Sequence, residues 1–278
     1  MNNLKGCKPK LNKPFCQDLR TLSSEELKQV RCRLPGSNPF EGMKIKNGAF
    51  LDKLDGRTLC KKCGKSRKYF CYSCYIPLPE IENDIPIVKL PCFIDIIKHP
   101  RETDGKSTAI HASIIAAESV SIYTFPDIPH YNKEENVFLV FPDKNAIPLE
   151  DFSYNKYFGK CESKSEEISK NGLPPVRIIF IDSTWNQTKR IHCDERLKDL
   201  QCLQLTTRET LFWRYQKGKP KTYLSTIEAI YYFVKDFHLK FISDNYEGEY
   251  DNLLFFFKYM YEKIHTLYDP VSLLAYKE

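Results

Sequence analysis

A run of apolar residues that ends abruptly on an aspartate constrains the fold of this chain more than any other stretch. Residues 176–181 are Val-Arg-Ile-Ile-Phe-Ile, and Asp182 follows directly, ahead of Ser183-Thr184-Trp185. Five of those six residues are large and apolar, which is typical of a strand buried on both faces in a parallel sheet. Because ligands bind at the carboxyl ends of strands in open α/β sheets, the polar cluster is predicted to belong to a site.

The aspartate at the end of this strand has two interpretations. Thr184 and Gln187 have the spacing of a capping box, so Thr184 is predicted to be the N-cap of a helix that runs to about residue 199. Asp182 is then not needed as a cap. It is either an alternative cap or turn former, or a carboxylate held at the mouth of a site. Trp185 taken alone is more typical of a core residue.

Four of the eleven cysteines lie within fifteen residues, as the turns Cys60-x-x-Cys63 and Cys71-x-x-Cys74. Two such turns can bring four thiolates to one tetrahedral zinc ion, and the seven residues between them are enough for a hairpin that folds one pair onto the other. Since no position is left for water, the zinc would be structural and would stabilise a ribbon too small to fold alone. Reduced, unliganded cysteines or redox pairs are the alternative.

The composition is that of a globular protein with a moderate basic excess. Of 278 residues, 42% are apolar and 28% are charged, and the net charge is +6. This charge suits an acidic partner such as nucleic acid without requiring one. No apolar run approaches the ~18 residues that span a membrane, and residues 1–10 lack the apolar segment of a signal peptide. We therefore expect a soluble intracellular protein with reduced cysteines, in the nucleus, the cytoplasm or both.

The order of the predicted elements indicates an α/β architecture of about two domains. Residues 1–55 are interpreted as a basic arm with a short helix that begins near Ser23, residues 56–80 as the ribbon, and residues 86–270 as the main domain. Residues 150–175 are polar and predict an exposed, mobile loop. Alternating strands and helices favour a mostly parallel sheet. The expected strands are 88–98, 120–125, 137–141, 176–182 and 200–206, and the expected helices are 109–119, 184–199, 225–237 and 252–267. A capping box of Ser225 and Glu228 is predicted to begin the helix at 225–237.

A Gly-Lys-Ser-Thr segment at residues 105–108 invites comparison with a phosphate-binding loop. The earlier glycine that such a loop needs falls on Pro100, which cannot adopt the required backbone, so a nucleotide-triphosphate site is rejected. Ser107 or Thr108 is instead predicted to begin a helix whose amino-terminal amides could hold a carboxylate. His111 is expected on the surface of that helix or in a wall.

Four segments carry a resemblance to a known family: Asp182-Ser183-Thr184-Trp185, Leu224-Ser225-Thr226-Ile227-Glu228-Ala229, Lys106-Ser107-Thr108 and the cysteine cluster. Together they resemble the DTW-domain family of tRNA-uridine aminocarboxypropyltransferases, over roughly residues 60–237. The resemblance implies a SPOUT-like α/β fold in which helices flank a mostly parallel sheet. It also implies a carboxyl-terminal trefoil knot, a small amino-terminal zinc ribbon, and a catalytic DTW domain at residues 86–270.

The chemistry that this resemblance implies is the modification of tRNA. The 3-amino-3-carboxypropyl group of S-adenosylmethionine would pass to N3 of a D-loop uridine, and 5′-methylthioadenosine would be released. The sulfonium is already a good leaving group, so the protein must select the carbon that faces the nucleophile and help N3 to lose its proton. Asp182 is the candidate catalytic base, or else the anchor of the ammonium group of the donor.

The donor site is also implied by the resemblance. Trp185 would pack against the aminocarboxypropyl arm, and Thr108 would receive the donor carboxylate. The adenosine would be held chiefly by backbone of the two knotted loops around Phe141-Pro142 and around Leu224-Ser225-Thr226. The full set of expected donor-binding residues is Lys106, Ser107, Thr108, Phe141, Pro142, Ser183, Thr184, Trp185, Leu224, Ser225 and Thr226.

Four basic residues are the candidates for contact with tRNA phosphates, because such contacts are electrostatic. For each, ordinary surface charge or a local ion pair is the alternative. These residues are Lys189, Arg190, Arg208 and Arg214.

Two other functions compete with aminocarboxypropyl transfer. A SPOUT-type RNA methyltransferase would differ in the orientation of the same donor, which residue spacing does not determine. A non-catalytic zinc-ribbon protein that binds RNA belongs to another class, and the presence of both Asp182 and Trp185 disfavours it. The oligomeric state and the modified tRNAs stay open.

Overall fold

The computed structural model describes residues 38–132, 136–153, 175–214, 216 and 219–268. The chain divides into two units, Met1–Gly42 and Met43–Glu278, and the fold described below is that of the second unit. The predicted helix near Ser23 and most of the predicted loop at 150–175 lie outside the described residues. The three-part division of the chain predicted from the sequence stays a prediction.

Two short antiparallel hairpins carry the four clustered cysteines and form the structure that we call the ribbon. In the first hairpin, β1 (Thr58–Leu59) pairs with β2 (Ser66–Arg67). In the second, β3 (Phe70–Cys71) pairs with β4 (Ile76–Pro77). Each Cys-x-x-Cys motif lies at the turn of one hairpin. The two cysteine turns are therefore present as predicted, but the hairpins turn at the cysteines rather than in the seven residues between the two pairs.

Six parallel strands form the central sheet of the second unit. Most neighbouring strands in the sheet are not consecutive in the sequence, and the spatial order is β6-β5-β9-β7-β10-β8. The expected α/β fold with a parallel sheet is therefore confirmed, while the trefoil knot stays a prediction. The strands are β5 (Phe93–Lys98), β6 (Val120–Thr124), β7 (Val137–Val140), β8 (Ile147–Pro148), β9 (Arg177–Asp182) and β10 (Gln201–Gln204).

Strand β9 occupies the middle of this sheet, where it pairs with β5 on one side and β7 on the other. Ile178 and Ile179 are fully buried, which confirms the strand expected from the apolar run. The register with β5 sets Asp182 beside Lys98, the last residue of each strand. Both polar side chains thus lie at the carboxyl edge of the sheet, the edge at which α/β proteins bind ligands.

Helices cover both faces of the sheet. Ile179 packs in a cluster with Ile191, whereas Phe180 meets Phe233 edge to face at 5.9 Å between ring centroids. Because successive residues of a strand point to opposite faces, the helices that contain Ile191 and Phe233 lie on opposite sides of the sheet. The described residues contain four α-helices: α1 (Ala109–Ile115), α2 (Trp185–His192), α3 (Thr226–Phe241) and α4 (Phe255–Leu267).

Two helices end earlier than the sequence predicted, and α4 begins three residues later, after a 3-10 turn at Asp251–Leu254. Helix α1 ends at Ile115 rather than near residue 119. Helix α2 ends at His192 rather than near residue 199, because Asp194 accepts hydrogen bonds from the backbone N–H of Arg196 at 3.1 Å and from its guanidinium group. Such a side-chain to backbone bond offers the chain an alternative to the next helical turn. None of the described helices is long and apolar enough to cross a membrane.

Candidate active site

Asp182 is buried at the carboxyl end of β9, where it is 5% exposed and accepts hydrogen bonds from two hydroxyl groups. Its Oδ2 accepts from Oγ of Ser107 at 2.7 Å, and its Oδ1 accepts from Oγ1 of Thr226 at 2.6 Å. Ser107 precedes α1, and Thr226 is the first residue of α3. One carboxylate therefore joins three segments that are 75 and 44 residues apart in the sequence.

The surroundings of Asp182 favour its protonated form. Burial raises the pKa of Asp182, and the hydrogen bonds from Thr226 and Ser107 and the positive charge of Lys98 oppose this effect without cancelling it. An aspartate with a raised pKa is a stronger proton acceptor when ionised than one in water. A carboxylate in such surroundings can serve as a proton acceptor.

A second set of charged groups lies next to Asp182, and the sequence did not reveal it. Lys98 is buried and forms an ion pair with Asp104. Burial disfavours the charge of Lys98, but the hydrogen bond to Asp104 and the nearby Tyr75 hydroxyl outweigh burial, so its pKa is raised. For Glu102, burial raises the pKa and the negative charge of Asp182 raises it further. The position of these residues in the chain could have revealed them. Residues 99–106 follow β5, which pairs with β9, so they begin at the same edge of the sheet as Asp182.

The ribbon contributes Tyr75 to this charged set. The backbone N–H of Tyr75 donates to the carbonyl of Cys71 at 2.8 Å, as the N–H of Gly64 donates to the carbonyl of Cys60 at 2.8 Å. The two residues are equivalent in the two cysteine turns, and both have positive φ, +57° for Tyr75 and +65° for Gly64. Glycine adopts this conformation readily, but a tyrosine there is strained, which is common at functional sites.

Aromatic side chains gather around Trp185, the first residue of α2. The ring of Trp185 lies 4.2 Å from that of Tyr223 and 6.2 Å from that of Phe141, measured between centroids. Phe141 in turn stacks on His192 at 4.5 Å. Phe141 follows β7, and Tyr223 directly precedes Leu224. The structure thus brings together three of the four segments that were predicted to hold a donor, and Trp185 is half-buried rather than part of the core.

Comparison with known protein families shows which family contains these features. Residues 68–265, more than half of the chain, match the family model described as DTW domain. The chain belongs to the DTW-domain family. Curated relatives named tRNA-uridine aminocarboxypropyltransferase 1 include a Xenopus laevis protein, 47% identical over 76% of this chain and 81% of the relative. The relatives of that name from Mus musculus and Homo sapiens are 44% and 45% identical, each over 83% of this chain and 85% of the relative. No solved structure matches the chain.

In this DTW-domain protein, the Lys-Ser-Thr segment links two helices to the central aspartate. Thr108 is the N-cap of α1, as predicted, but the helix N–H of Ala109 donates to Oγ of Ser107 at 3.1 Å. Oγ1 of Thr108 is buried and accepts from the backbone N–H of Ile227 at 3.2 Å. The amino termini of α1 and α3 are therefore tied to each other. Lys106 is exposed.

The two predicted capping boxes have different outcomes. Thr184 is the N-cap of α2 as predicted, but its side chain makes no capping hydrogen bond. The predicted capping box of Thr184 and Gln187 is therefore wrong. The carbonyl of Thr184 accepts from the N–H of Gln187 at 2.8 Å, and its side chain is exposed. The box of Ser225 and Glu228 is confirmed. Ser183, between Asp182 and Thr184, shares a hydroxyl hydrogen bond of 2.8 Å with Thr188.

Glu228 is a buried structural acid that the sequence marked only as a helix cap. Its carboxylate accepts from the N–H and Oγ of Ser225 at 2.8 and 2.6 Å. It also accepts from Oγ1 of Thr210 and from the N–H of Leu211, both at 2.6 Å. These bonds fix residues 210–211 onto α3. They also commit the hydroxyl of Ser225, so contact of Ser225 with a donor would use its backbone.

The four clustered cysteines have the geometry of a metal site. Their sulfur atoms all lie within 4.8 Å of one another, and Sγ of Cys63 and Sγ of Cys71 are 3.6 Å apart. Zinc with tetrahedral bonds of about 2.3 Å to sulfur separates its ligand sulfurs by about 3.8 Å. These cysteines are free thiols rather than disulfides, and the donor set suits a four-coordinate metal. They are Cys60, Cys63, Cys71 and Cys74.

His111 is buried, so of its two expected positions, the helix surface or a wall, the structure supports the wall. It is 5% exposed, and its ring lies 5.6 Å from that of Phe70 and 5.7 Å from that of Phe256. Burial lowers the pKa of His111 to about 3, so the imidazole is neutral at physiological pH. His111 therefore joins the ribbon to α4 through packing rather than through charge.

The four basic residues predicted to contact RNA are in different environments. Lys189 and Arg190 are exposed on α2, and the Arg190 guanidinium lies 6.0 Å from the ring of Phe125. Arg214 is also exposed. Arg208 is not a free surface cation, because it donates to Asp236 of α3 at 2.7 Å and its side chain is 17% exposed. Its guanidinium also lies 4.5 Å from the ring of Tyr232.

Charge reversal of Arg208 is therefore expected to lower stability rather than to weaken RNA binding selectively. Oδ2 of Asp236 is buried and has no hydrogen-bond partner within the described part of the chain, so Asp236 depends on Arg208. Leaving a buried group of this kind unpaired costs about 1–3 kcal/mol or more. Arg208→Glu should lower the melting temperature, and the swap Arg208→Glu with Asp236→Arg should recover part of the loss. If Arg208→Glu and wild type have the same melting temperature, the ion pair of Arg208 and Asp236 contributes nothing to stability.

Proposed function

We propose that this DTW-domain protein is a tRNA-uridine aminocarboxypropyltransferase that uses S-adenosylmethionine as the donor. A bond forms between N3 of a D-loop uridine and the γ-carbon of the methionine moiety, the bond from that carbon to sulfur breaks, and 5′-methylthioadenosine leaves. The observation that carries the proposal is the convergence of the family's segments on one buried carboxylate. Ser107, Asp182 and Thr226 come from three of those segments and share two hydrogen bonds.

Asp182 has the properties of the group that takes the proton from N3. Uridine N3 is mostly protonated at neutral pH, so transfer requires that this proton leave. Each oxygen of Asp182 accepts one hydroxyl hydrogen bond, which leaves further lone pairs for a substrate N–H. The alternative role is to hold the ammonium group of the donor. Both roles use the same carboxylate. The neighbouring ion pair of Lys98 with Asp104 would fix the charge state of Asp182.

The aromatic cluster around Trp185 is the proposed place for the donor. Trp185, Phe141 and Tyr223 offer the apolar faces that an adenosine and a methylene chain would contact. Leu224 follows Tyr223 in the chain, and Thr226 donates to Asp182. Thr184 and Pro142, which adjoin Trp185 and Phe141 in the sequence, are exposed. Thr108 stays the candidate for the donor carboxylate, although its hydroxyl already accepts one hydrogen bond. Since the donor and a tRNA are both intracellular molecules, the proposed reaction takes place inside the cell.

Zinc and tRNA complete the proposal. The four cysteines of the ribbon, residues 56–80, would hold one structural zinc ion, which would supply fold stability and no step of the transfer. Residues 86–270 would form the catalytic domain. The exposed cations Lys189, Arg190 and Arg214 are proposed to contact tRNA phosphates. Arg208 is withdrawn from that set because its charge is already paired.

Nucleoside mass analysis tests this function. Purified protein is incubated with unmodified tRNA and S-adenosylmethionine labelled in the carboxyl carbon, and the tRNA is then digested. The expected product is a labelled aminocarboxypropyl uridine, formed together with 5′-methylthioadenosine. A methylated nucleoside without carboxyl label would identify a methyltransferase instead. RNA binding without any product, under conditions in which the donor also binds, would identify a non-catalytic RNA-binding protein.

A further inference from the structure

A cavity of about 180 Å³ lies between the ribbon and the helices of the main domain. We call it the ribbon cleft. Tyr69 and Tyr72 of the ribbon form one wall, and Phe212 and Trp213, which follow β10, form another. Ser107 also lines it, and this is the residue that donates to Asp182. The cleft therefore leads from the surface to a direct partner of the proposed catalytic base.

The ribbon cleft is distinct from the aromatic cluster around Trp185 that is proposed to hold the donor, and it shares only the segment of Lys106, Ser107 and Thr108 with the wider set of expected donor-binding residues. Among the residues that the structure describes, its lining includes neither Trp185 nor Phe141 nor Tyr223. Its volume is below the roughly 300–1,000 Å³ of pockets that enclose drug-sized ligands. A whole S-adenosylmethionine molecule is therefore too large for it, whereas a single nucleobase is of suitable size. A larger depression of about 500 Å³ around His130 and Arg196 shares no lining residue with the cleft.

Charge and aromatic character both point to a nucleic-acid ligand. The basic residues that line the cleft are Arg57, Arg67, Lys68, Lys106 and Arg214. The one acidic residue among its described lining is Asp104, which is already paired with Lys98. Flat aromatic rings beside a basic groove are the features with which proteins bind unpaired bases, since rings stack on bases and cations neutralise phosphates.

Two buried residues of the cleft have unsatisfied polar atoms. Arg67 is more than nine-tenths buried, and its guanidinium carbon lies 3.8 Å from the ring centroid of Tyr72. Its terminal nitrogens donate to Ser66 and Ser73, but Nε has no partner in the described chain. Nδ1 of His111 likewise has none. Because buried polar groups are nearly always paired, these two atoms mark a place where a polar ligand edge can be recognised after a small side-chain movement.

We propose that the ribbon cleft binds the acceptor nucleotide of the tRNA. The uracil ring lies between the aromatic walls, and the adjoining phosphates contact the basic rim. This inference rests on the proposed function and deepens it, because it assigns the acceptor to the ribbon side of Asp182 and the donor to the Trp185 side. The ribbon then has a role in substrate binding in addition to its role in folding.

Two kinds of variant test the proposal. Trp213→Ala removes a stacking surface, and Arg57→Glu with Lys68→Glu reverses two rim charges. Lys89→Glu with Lys198→Glu is the matched control, because both lysines are exposed and neither lines the cleft. Trp213→Phe keeps a ring and should restore most of the effect of Trp213→Ala. Melting temperature and zinc content are measured for each variant, so that a folding defect is recognised.

The expected result is a loss of tRNA recognition with normal donor binding. Trp213→Ala should lower kcat/KM for tRNA by about 5–150-fold, the range that corresponds to one stacked base. The rim reversal should raise KM for tRNA, and its effect should shrink as salt rises. Affinity for S-adenosylmethionine should match that of the control. If the cleft variants and the control modify tRNA equally well, or if donor affinity falls instead, the cleft does not bind the acceptor.

Failure of this inference is distinguishable from failure of the proposed function. Binding of a D-arm RNA hairpin, measured without donor, does not depend on catalysis. If wild type makes no product but the cleft variants still lose hairpin affinity relative to the control, the proposed function is wrong and the cleft assignment stands. If wild type makes the product and hairpin affinity is the same in all variants, the cleft assignment is wrong and the proposed function stands.

Discussion

Replacing Asp182 by asparagine is expected to lower the rate of aminocarboxypropyl transfer by about 10²–10⁴-fold, the usual effect of removing a general base. The fold should persist, because the two partners of Asp182 are hydroxyl groups, of Ser107 and Thr226. A hydroxyl can rotate to accept from the new amide N–H₂ as readily as it donated to the carboxylate. Single-turnover assays with saturating donor and tRNA measure the change.

Stability provides an internal check on this substitution. The pKa of Asp182 is raised by burial, so its folded-state pKa lies above its unfolded value. Its contribution to stability is then present at pH values below the unfolded pKa and is lost as pH rises through the folded pKa. A neutral asparagine carries no such penalty at pH 7. The melting temperature of Asp182→Asn should therefore equal or exceed that of wild type.

Glu228→Gln is the contrasting variant. Glu228 is also a buried acid, but two of its partners are the backbone N–H groups of Ser225 and Leu211. A backbone N–H can only donate, so an amide N–H₂ placed against it leaves buried donors unpaired. Each such group costs about 1–3 kcal/mol or more of stability. Glu228→Gln should lower the melting temperature clearly, whereas Asp182→Asn should not.

Donor affinity separates the two roles of Asp182. If Asp182 is the base, the rate of wild type should fall as pH falls through its raised pKa, and this dependence should be absent in Asp182→Asn. If Asp182 holds the ammonium group, the loss should appear mainly as weaker binding of S-adenosylmethionine. Near-native turnover of Asp182→Asn at limiting donor, with normal melting, would exclude both roles and leave a structural turn residue.

Features of the site that depend on local pattern were predictable from the sequence. The buried strand before Asp182, the paired cysteine turns and the capping box at Ser225 each involve residues less than about fifteen positions apart. Hydrophobic runs, metal-ligand spacing and helix caps are properties of such short segments. The parallel sheet followed from the alternation of strands and helices, although its strand order did not.

Features that depend on long-range packing were not predictable. Lys98 lies beside Asp182 because β5 and β9 pair, and a single sequence contains no information on that pairing. Tyr75 meets Lys98 because the ribbon packs against the sheet edge. For the same reason the sequence left open whether His111 lies on a surface or in a wall and whether Arg208 is paired, since their partners, Phe256 and Asp236, are distant in sequence. Helix α2 was predicted too long because the competing bond of Asp194 was overlooked.

Removal of the cysteine cluster is the second substitution with a large expected effect. Cys60→Ser with Cys74→Ser takes one ligand from each turn of the ribbon. We expect purified wild type to contain one zinc ion per chain and the variant to contain none by elemental analysis. Structural zinc contributes about 10–16 kcal/mol in small zinc domains, so the variant ribbon should unfold. Cys193→Ser, which changes an exposed free cysteine outside the cluster, is the matched control.

The loss of zinc should abolish transfer although no cysteine touches a reacting atom. Phe70 of the ribbon packs on His111 and Phe256 at 5.6 and 4.8 Å, so an unfolded ribbon withdraws part of the core beside α1. It also withdraws Tyr75 from Lys98 and removes one wall of the ribbon cleft. Donor binding, which we propose to use the Trp185 side, should fall much less than tRNA binding. Zinc-free wild type, or a double variant with full activity and unchanged melting, would show that these four thiols do not form a structural metal site.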